Sequence, residues 1–135
     1  MILNNQVKYR VEIRKDYTNE SYLLTGNEGK LHQAILNILI NASQAIEEKG
    51  IISVSTQIKH QQLFIKISDT GCGVNPKDLP RITDPFFTTK DPGQGIGLGL
   101  SIAYNIVHDH SGTIEFESTL GKGTNVTIML PVEKE

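Results

Sequence analysis

The chain has one cysteine, no long hydrophobic run at its start and almost no charge imbalance. A single thiol, Cys72, cannot close a disulfide within the chain, which points to a reducing compartment. The opening stretch MILNNQVKYR is too polar for a secretion signal or a membrane span, and neither is expected in this segment. Thirteen basic against fifteen acidic side chains leave a net charge of −2, which argues against a general nucleic-acid or anionic-membrane binder. Internal repeats and low-complexity tracts are lacking, as are the Walker A loop and the GxGxxG dinucleotide fingerprint. The last two absences set aside the commonest nucleotide-binding folds. With 135 residues the chain can bury a real core, and residues 1–135 are read as a single domain.

What is present is glycine in one telling place. Gly95-Ile96-Gly97-Leu98-Gly99-Leu100 sets three glycines at alternate positions and runs into Ile102, Ala103, Ile106 and Val107, which have helical spacing. A glycine-rich turn entering a helix offers free N–H groups and the positive dipole end to an anion, phosphate above all.

Around it the chain alternates strands and helices. Val7, Tyr9, Val11 and Ile13 alternate with charged residues, the period of a half-buried strand. Asn27-Glu28-Gly29 opens a helix expected to reach about Glu48 and to close at Gly50. Ile52, Val54, Thr56 and Ile58, then Leu63, Ile65 and Ile67, read as an antiparallel pair joined by a polar turn from Lys59 to Gln62. Asp69 to Gly97 is irregular and rich in Gly, Pro, Thr and Asp, and so long a loop in a small domain is usually functional. A helix from about Leu98 to Ser111-Gly112 and a hairpin pairing Ile114 and Phe116 with Val126, Ile128 and Leu130 complete the chain. This order gives an α/β two-layer sandwich, a mixed and mostly antiparallel sheet with helices on one face.

Three further segments carry chemistry. On the first helix Gln33, Asn37, Asn41 and Gln44 fall within roughly 40° of one line, opposite an apolar face of Leu31, Ile35, Ile38, Leu39, Ala42 and Ile46. Solvated faces favour Glu, Lys and Arg, whereas Asn is a poorer helix former, so a ladder of carboxamides suggests a cation or phosphate. One Asn oxygen suits the hard Mg²⁺ ion, which prefers phosphates plus one or two protein ligands. Asp69 ends an apolar strand before Thr70-Gly71-Cys72-Gly73; an ionised carboxylate only accepts hydrogen bonds, so it can select the amine of adenine. Cys72 has no strong cation beside it in the sequence and reads as a small filler residue near the base, open to covalent labelling. Pro85-Phe86-Phe87-Thr88-Thr89-Lys90 supplies apolar anchors and a charge, as a lid over a phosphate would need.

In this order the segments resemble the nucleotide-binding boxes of the sensor histidine kinase catalytic domain, within the ATPase superfamily shared with DNA gyrase and a heat-shock chaperone. The helix resembles the N box, Asp69 to Val74 the first glycine box, Pro85 to Lys90 the F box, and Gly95 to Leu100 the second glycine box. Gly121-Lys122-Gly123-Thr124 resembles the GxGT turn that closes this Bergerat-type fold. The resemblance implies ATP and Mg²⁺ as cofactors. Asn41 would hold the metal and Asn37 would assist at the phosphates; Asp69 would bind the adenine amine, with Thr124 helping through water. Gly71 and Gly73 would border the base, Lys90 would meet phosphate, and Gly95, Gly97, Leu98 and Gly99 would form the phosphate loop. It also implies a cytoplasmic protein-histidine kinase that transfers the γ-phosphate to a histidine on a dimerising helical hairpin, for relay to a response regulator. ATP-hydrolysing relatives carry a Glu where Asn37 stands, and an amide cannot take a proton from water, so kinase fits better than ATPase. His32, His60, His108 and His110 all lack the acceptor's setting. The chain is therefore expected to be a fragment that binds ATP without phosphorylating itself, in a full-length protein that can be membrane-anchored. An anti-sigma-type serine kinase and a non-enzymatic nucleotide sensor are the alternatives on this fold.

Overall fold

A computed structural model describes residues 11–19, 22–46, 49–82 and 99–134. Its elements run β1 (Val11–Asp16), β2 (Tyr22–Leu23), α1 (Glu28–Ala45), β3 (Gly50–Lys59), β4 (Gln62–Asp69), a 3-10 turn (Leu79–Arg81), α2 (Gly99–Asp109), β5 (Thr113–Thr119), β6 (Gly123–Pro131) and β7 (Glu133–Lys134).

Helix α1 begins where its sequence says it should. The Asn27 side chain accepts from the Lys30 N–H at 3.0 Å, satisfying one of the free donors of the first turn, and Glu28 adds a charge favourable to the dipole. Ala34, Ile38 and Ala42 recur every fourth residue and are buried. The far end differs from expectation. The helix stops at Ala45, Ile46 turns to extended dihedrals, and its side chain drops into the core at 2% exposure. Gly50 therefore does not close the helix but starts β3, where a Cβ would lie 2.8 Å from both the Ile46 and Thr70 side chains. The expected extension to Glu48 lies outside the described residues.

The main sheet has the order β1-β3-β4-β6-β5, with β1 parallel to β3 and the other pairs antiparallel. Ile52, Ile67, Ile128 and Leu130 turn one face towards the helices and meet Ile38, Ile46 and Val107 there, all fully buried. Ser53, Lys66 and Asn125 sit at alternate positions and keep the other face wet, the signature of a one-sided antiparallel sheet. The two-layer, mixed sandwich expected from the sequence is the fold observed. The first strand keeps its expected alternation from Val11 onward; Val7 and Tyr9 fall outside the described residues.

Helix α2 begins at Gly99, and Leu98 lies outside the described residues. Its end is a Schellman turn: Ser111 N–H reaches the His108 carbonyl at 3.0 Å and Gly112 N–H the Val107 carbonyl at 2.9 Å, with Ser111 at φ 60°. His110 then ties the helices together. Its Nδ1 donates to the Ile106 carbonyl at 2.7 Å, and its Nε2 accepts the Asn27 N–H at 3.0 Å. That ring is structural.

Candidate functional site

The β4–β6 register decides the centre of the site. It sets Asp69, the last residue of β4, opposite Thr124, the second residue of β6. Both face the helix layer and are 9% exposed. The Asp69 carboxylate accepts from the Gly71 N–H at 2.8 Å, and the Thr124 N–H donates to it as well. Burial raises its pKa above the ordinary carboxylate value, while the two main-chain donors pull the other way and do not cancel the effect. The result is a buried, oriented carboxyl at the end of a rigid strand.

The loop after it is stitched to α1. The Cys72 N–H donates to the Ala45 carbonyl at 2.9 Å, and the Gly121 N–H to the Cys72 carbonyl at 2.7 Å. At Gly71 a Cβ would stand 2.6 Å from the Ala45 oxygen. Gly73 has φ +72°, and a Cβ there would run into the Thr119 carbonyl. Both glycines make room for the protein's own main chain, whatever they also offer a ligand. Cys72 is exposed between them, so the expectation that it fills space is wrong. Its carbonyl and N–H bridge to the Gly121 and Ala45 main chain, which leaves the side chain outside.

Asn37 and Asn41 lie half-buried on α1, one turn apart. The Asn37 amide donates to the Gly99 carbonyl at 3.4 Å, a long bond that joins α1 to the first residue of α2. Only the NH₂ group can approach a carbonyl, so the Asn37 oxygen is left for another donor or a cation. The Asn41 side chain makes no hydrogen bond to any described residue. From Asn37 to Ala45 the helix rises about 12 Å. Along this span Asn37 meets the start of α2, Asn41 stands in the middle with no side-chain partner among the described residues, and Ala45 holds the Asp69–Gly73 loop. Gly99, Asn37, Asn41, Gly71, Gly73, Asp69 and Thr124 are thus linked through one helix and one sheet end. Lys90, Gly95, Gly97 and Leu98 fall outside the described residues.

Such a layout suits a long anion with a hydrogen-bonding head: acceptor groups at the strand ends, carboxamides along the helix, and a helix N-terminus beyond. A cavity of about 620 Å³ lies elsewhere, between Leu23, Thr25, Gln61, His110 and Glu133, and none of these site residues lines it. Of the other histidines, His108 stacks on Tyr104 with ring centroids 6.2 Å apart on the exposed side of α2, and His32 and His60 are exposed.

The family model for histidine kinase-, DNA gyrase B- and HSP90-like ATPases matches residues 26–134. The chain belongs to this family. Membership supports ATP binding, and the match takes in Asn37, Asn41, Asp69, Gly71, Gly73, Gly99 and Thr124. The signal transduction histidine-protein kinase AtoS of Escherichia coli (strain K12) is 39% identical over 130 residues, 96% of this chain and 21% of that protein. The catalytic domain of histidine kinase ThkA superposes with a TM-score of 0.81 at 28% identity, over 96% of this chain and 86% of that one. A mycobacterial sensor histidine kinase, MprB, gives 0.86 at 24% identity over 99% and 91%, a likeness of fold. The chain spans about a fifth of the length of AtoS.

Two parts of this candidate site had no signal in the sequence. Ala45 contributes only a carbonyl, which no side-chain pattern reveals. Ser118 lies on a strand among other polar residues, yet its hydroxyl meets Val74, Gly123 and Thr124. Alternation could place it on the Thr124 face and no more.

Proposed function

We propose that this chain is the ATP-binding catalytic domain of a two-component sensor histidine kinase, transferring the γ-phosphate to a histidine on a dimerising helical hairpin. The observation that carries the reading is Asp69, a buried acceptor fixed by two main-chain donors at a strand end. It accepts the exocyclic amine of adenine, and Thr124 helps through water. Asn41, half-buried and with its carboxamide free among the described residues, fits a Mg²⁺ ligand alongside phosphate oxygens. When bound there, the ion offsets phosphate charge. Asn37 steadies the phosphates from α1, and Lys90 with Gly95, Gly97, Leu98 and Gly99 surrounds them.

An amide at residue 37 takes no proton, so water is not activated there. A neutral imidazole supplies its own nucleophile and needs only positioning and charge stabilisation. The names of the relatives point the same way, and a response regulator then takes the phosphate onward. The catalytic domain works in the cytoplasm; no described helix is long and apolar enough to cross a membrane.

The test is a phosphotransfer assay with Mg·ATP and the histidine-bearing hairpin of the full-length protein. Acid-labile, base-stable phosphate on that histidine is expected, with little phosphate release when the hairpin is left out. Acid-stable phosphate on a serine, or rapid hydrolysis without any acceptor, would contradict the assignment.

A further inference from the structure

The Ser118 hydroxyl is the meeting point of three contacts, and they settle where the hydrogens go. The Val74 N–H can only donate, and does so to Ser118 Oγ at 2.7 Å. The Gly123 carbonyl can only accept, 3.1 Å away, and takes the single Ser118 proton. The third contact, 2.9 Å to Thr124 Oγ1, then requires the Thr124 hydroxyl to donate to Ser118. All three bonds are made together only in this arrangement. Thr124 is left with lone pairs alone. Its register partner Asp69 is likewise an acceptor when ionised.

We infer that Ser118 is a positioning residue that holds Thr124 as an acceptor beside Asp69 and thereby sharpens selection of a 6-amino over a 6-oxo purine. The inference rests on the nucleotide-site reading above. A 6-amino group, or a water bound to the ring, finds acceptors at both positions. The oxygen of a 6-oxo purine finds no hydroxyl proton at Thr124, because that proton is committed to Ser118. Leaving a buried acceptor or donor unmatched weakens binding far more than removing a matched pair, which is how such a pocket discriminates. Removing the Ser118 hydroxyl frees Thr124 to rotate and to donate to a 6-oxo group.

The experiment is calorimetric titration of the parent, Ser118→Ala and Ser118→Thr with Mg·ATP and Mg·ITP. In Ser118→Ala the ATP affinity should fall about fivefold, the loss of one ordinary hydrogen bond, while ITP changes little. The ATP-to-ITP ratio then drops severalfold, and Ser118→Thr, which keeps the hydroxyl, restores it. In a Thr124→Val background Ser118→Ala should leave the ratio unchanged, because the group it steers is gone. Equal weakening of both nucleotides in Ser118→Ala would mean that Ser118 only seats the Val74 loop, and would overturn the inference. So would a shift of the ratio in the Thr124→Val background. A parent that binds neither nucleotide would instead overturn the nucleotide-site reading itself.

Discussion

Gly71→Ala tests how the loop beside Asp69 is built. An added Cβ would lie 2.6 Å from the Ala45 oxygen, 2.7 Å from its carbonyl carbon and 2.8 Å from its Cβ. None of these is the tip of a flexible side chain, so the loop has to lift by about 0.8 Å to reach ordinary van der Waals contact. That displacement stretches two bonds beyond useful length: Cys72 N–H to the Ala45 carbonyl, now 2.9 Å, and Gly71 N–H to Asp69, now 2.8 Å. The first is worth roughly 1 kcal/mol and the second, to a charged acceptor, about 1.5–3 kcal/mol. A loss of about 2–4 kcal/mol is therefore expected in urea unfolding, together with at least a tenfold loss of ATP affinity, because Asp69 loses one of its two orienting donors. A variant within about 0.5 kcal/mol of the parent that binds ATP normally would show that the loop is not held as described.

Further outcomes are expected. Burial raises the Asp69 pKa, so protonation sets in above the usual carboxylate range as pH falls; ATP affinity should decline over that window in the parent and stay flat in Asp69→Asn. The same shift has a stability consequence. The folded state binds this proton more readily than the unfolded one, so Asp69 lowers stability as pH rises through the window, and Asp69→Asn should flatten that part of the pH–stability curve. Asn41→Ala should abolish most of the Mg²⁺ enhancement of nucleotide binding and leave the melting temperature within about 5 °C of the parent, as suits a half-buried carboxamide with no partner among the described residues. His60 and Gln61 both have positive φ, 51° and 62°, in the two-residue β3–β4 turn; replacing them by Asn-Gly, which favours that geometry, should raise stability by about 1 kcal/mol in urea unfolding.

Features that depend on local spacing could be read from the chain. Asn27 caps α1, Ile38 and Ala42 face the core, and Asp69 ends its strand, each at the expected place. Features that depend on main chain meeting main chain could not. Nothing local says that the Ala45 carbonyl will receive Cys72, nor that Gly50 is a glycine because Ile46 folds back beside it. The His60–Gln61 turn has neither of the residues that announce its type, because the strong β3–β4 pairing imposes the dihedrals. Strands β2 and β7 are two residues each and exist only by pairing with one another, so no periodicity could reveal them. Ser118 was invisible for a related reason: its partners include Val74, brought in from another part of the chain.

The central claim is that Asp69 reads an adenine nucleotide held with Mg²⁺ along α1. Calorimetric titration with a non-hydrolysable ATP analogue, with and without Mg²⁺, on the parent and Asp69→Asn, tests it most directly. The account predicts Mg²⁺-enhanced binding to the parent, weakened roughly 10- to 100-fold in the variant by loss of a charged acceptor and its replacement by a donor. Equal binding by the two proteins, at an unchanged fold, would contradict it.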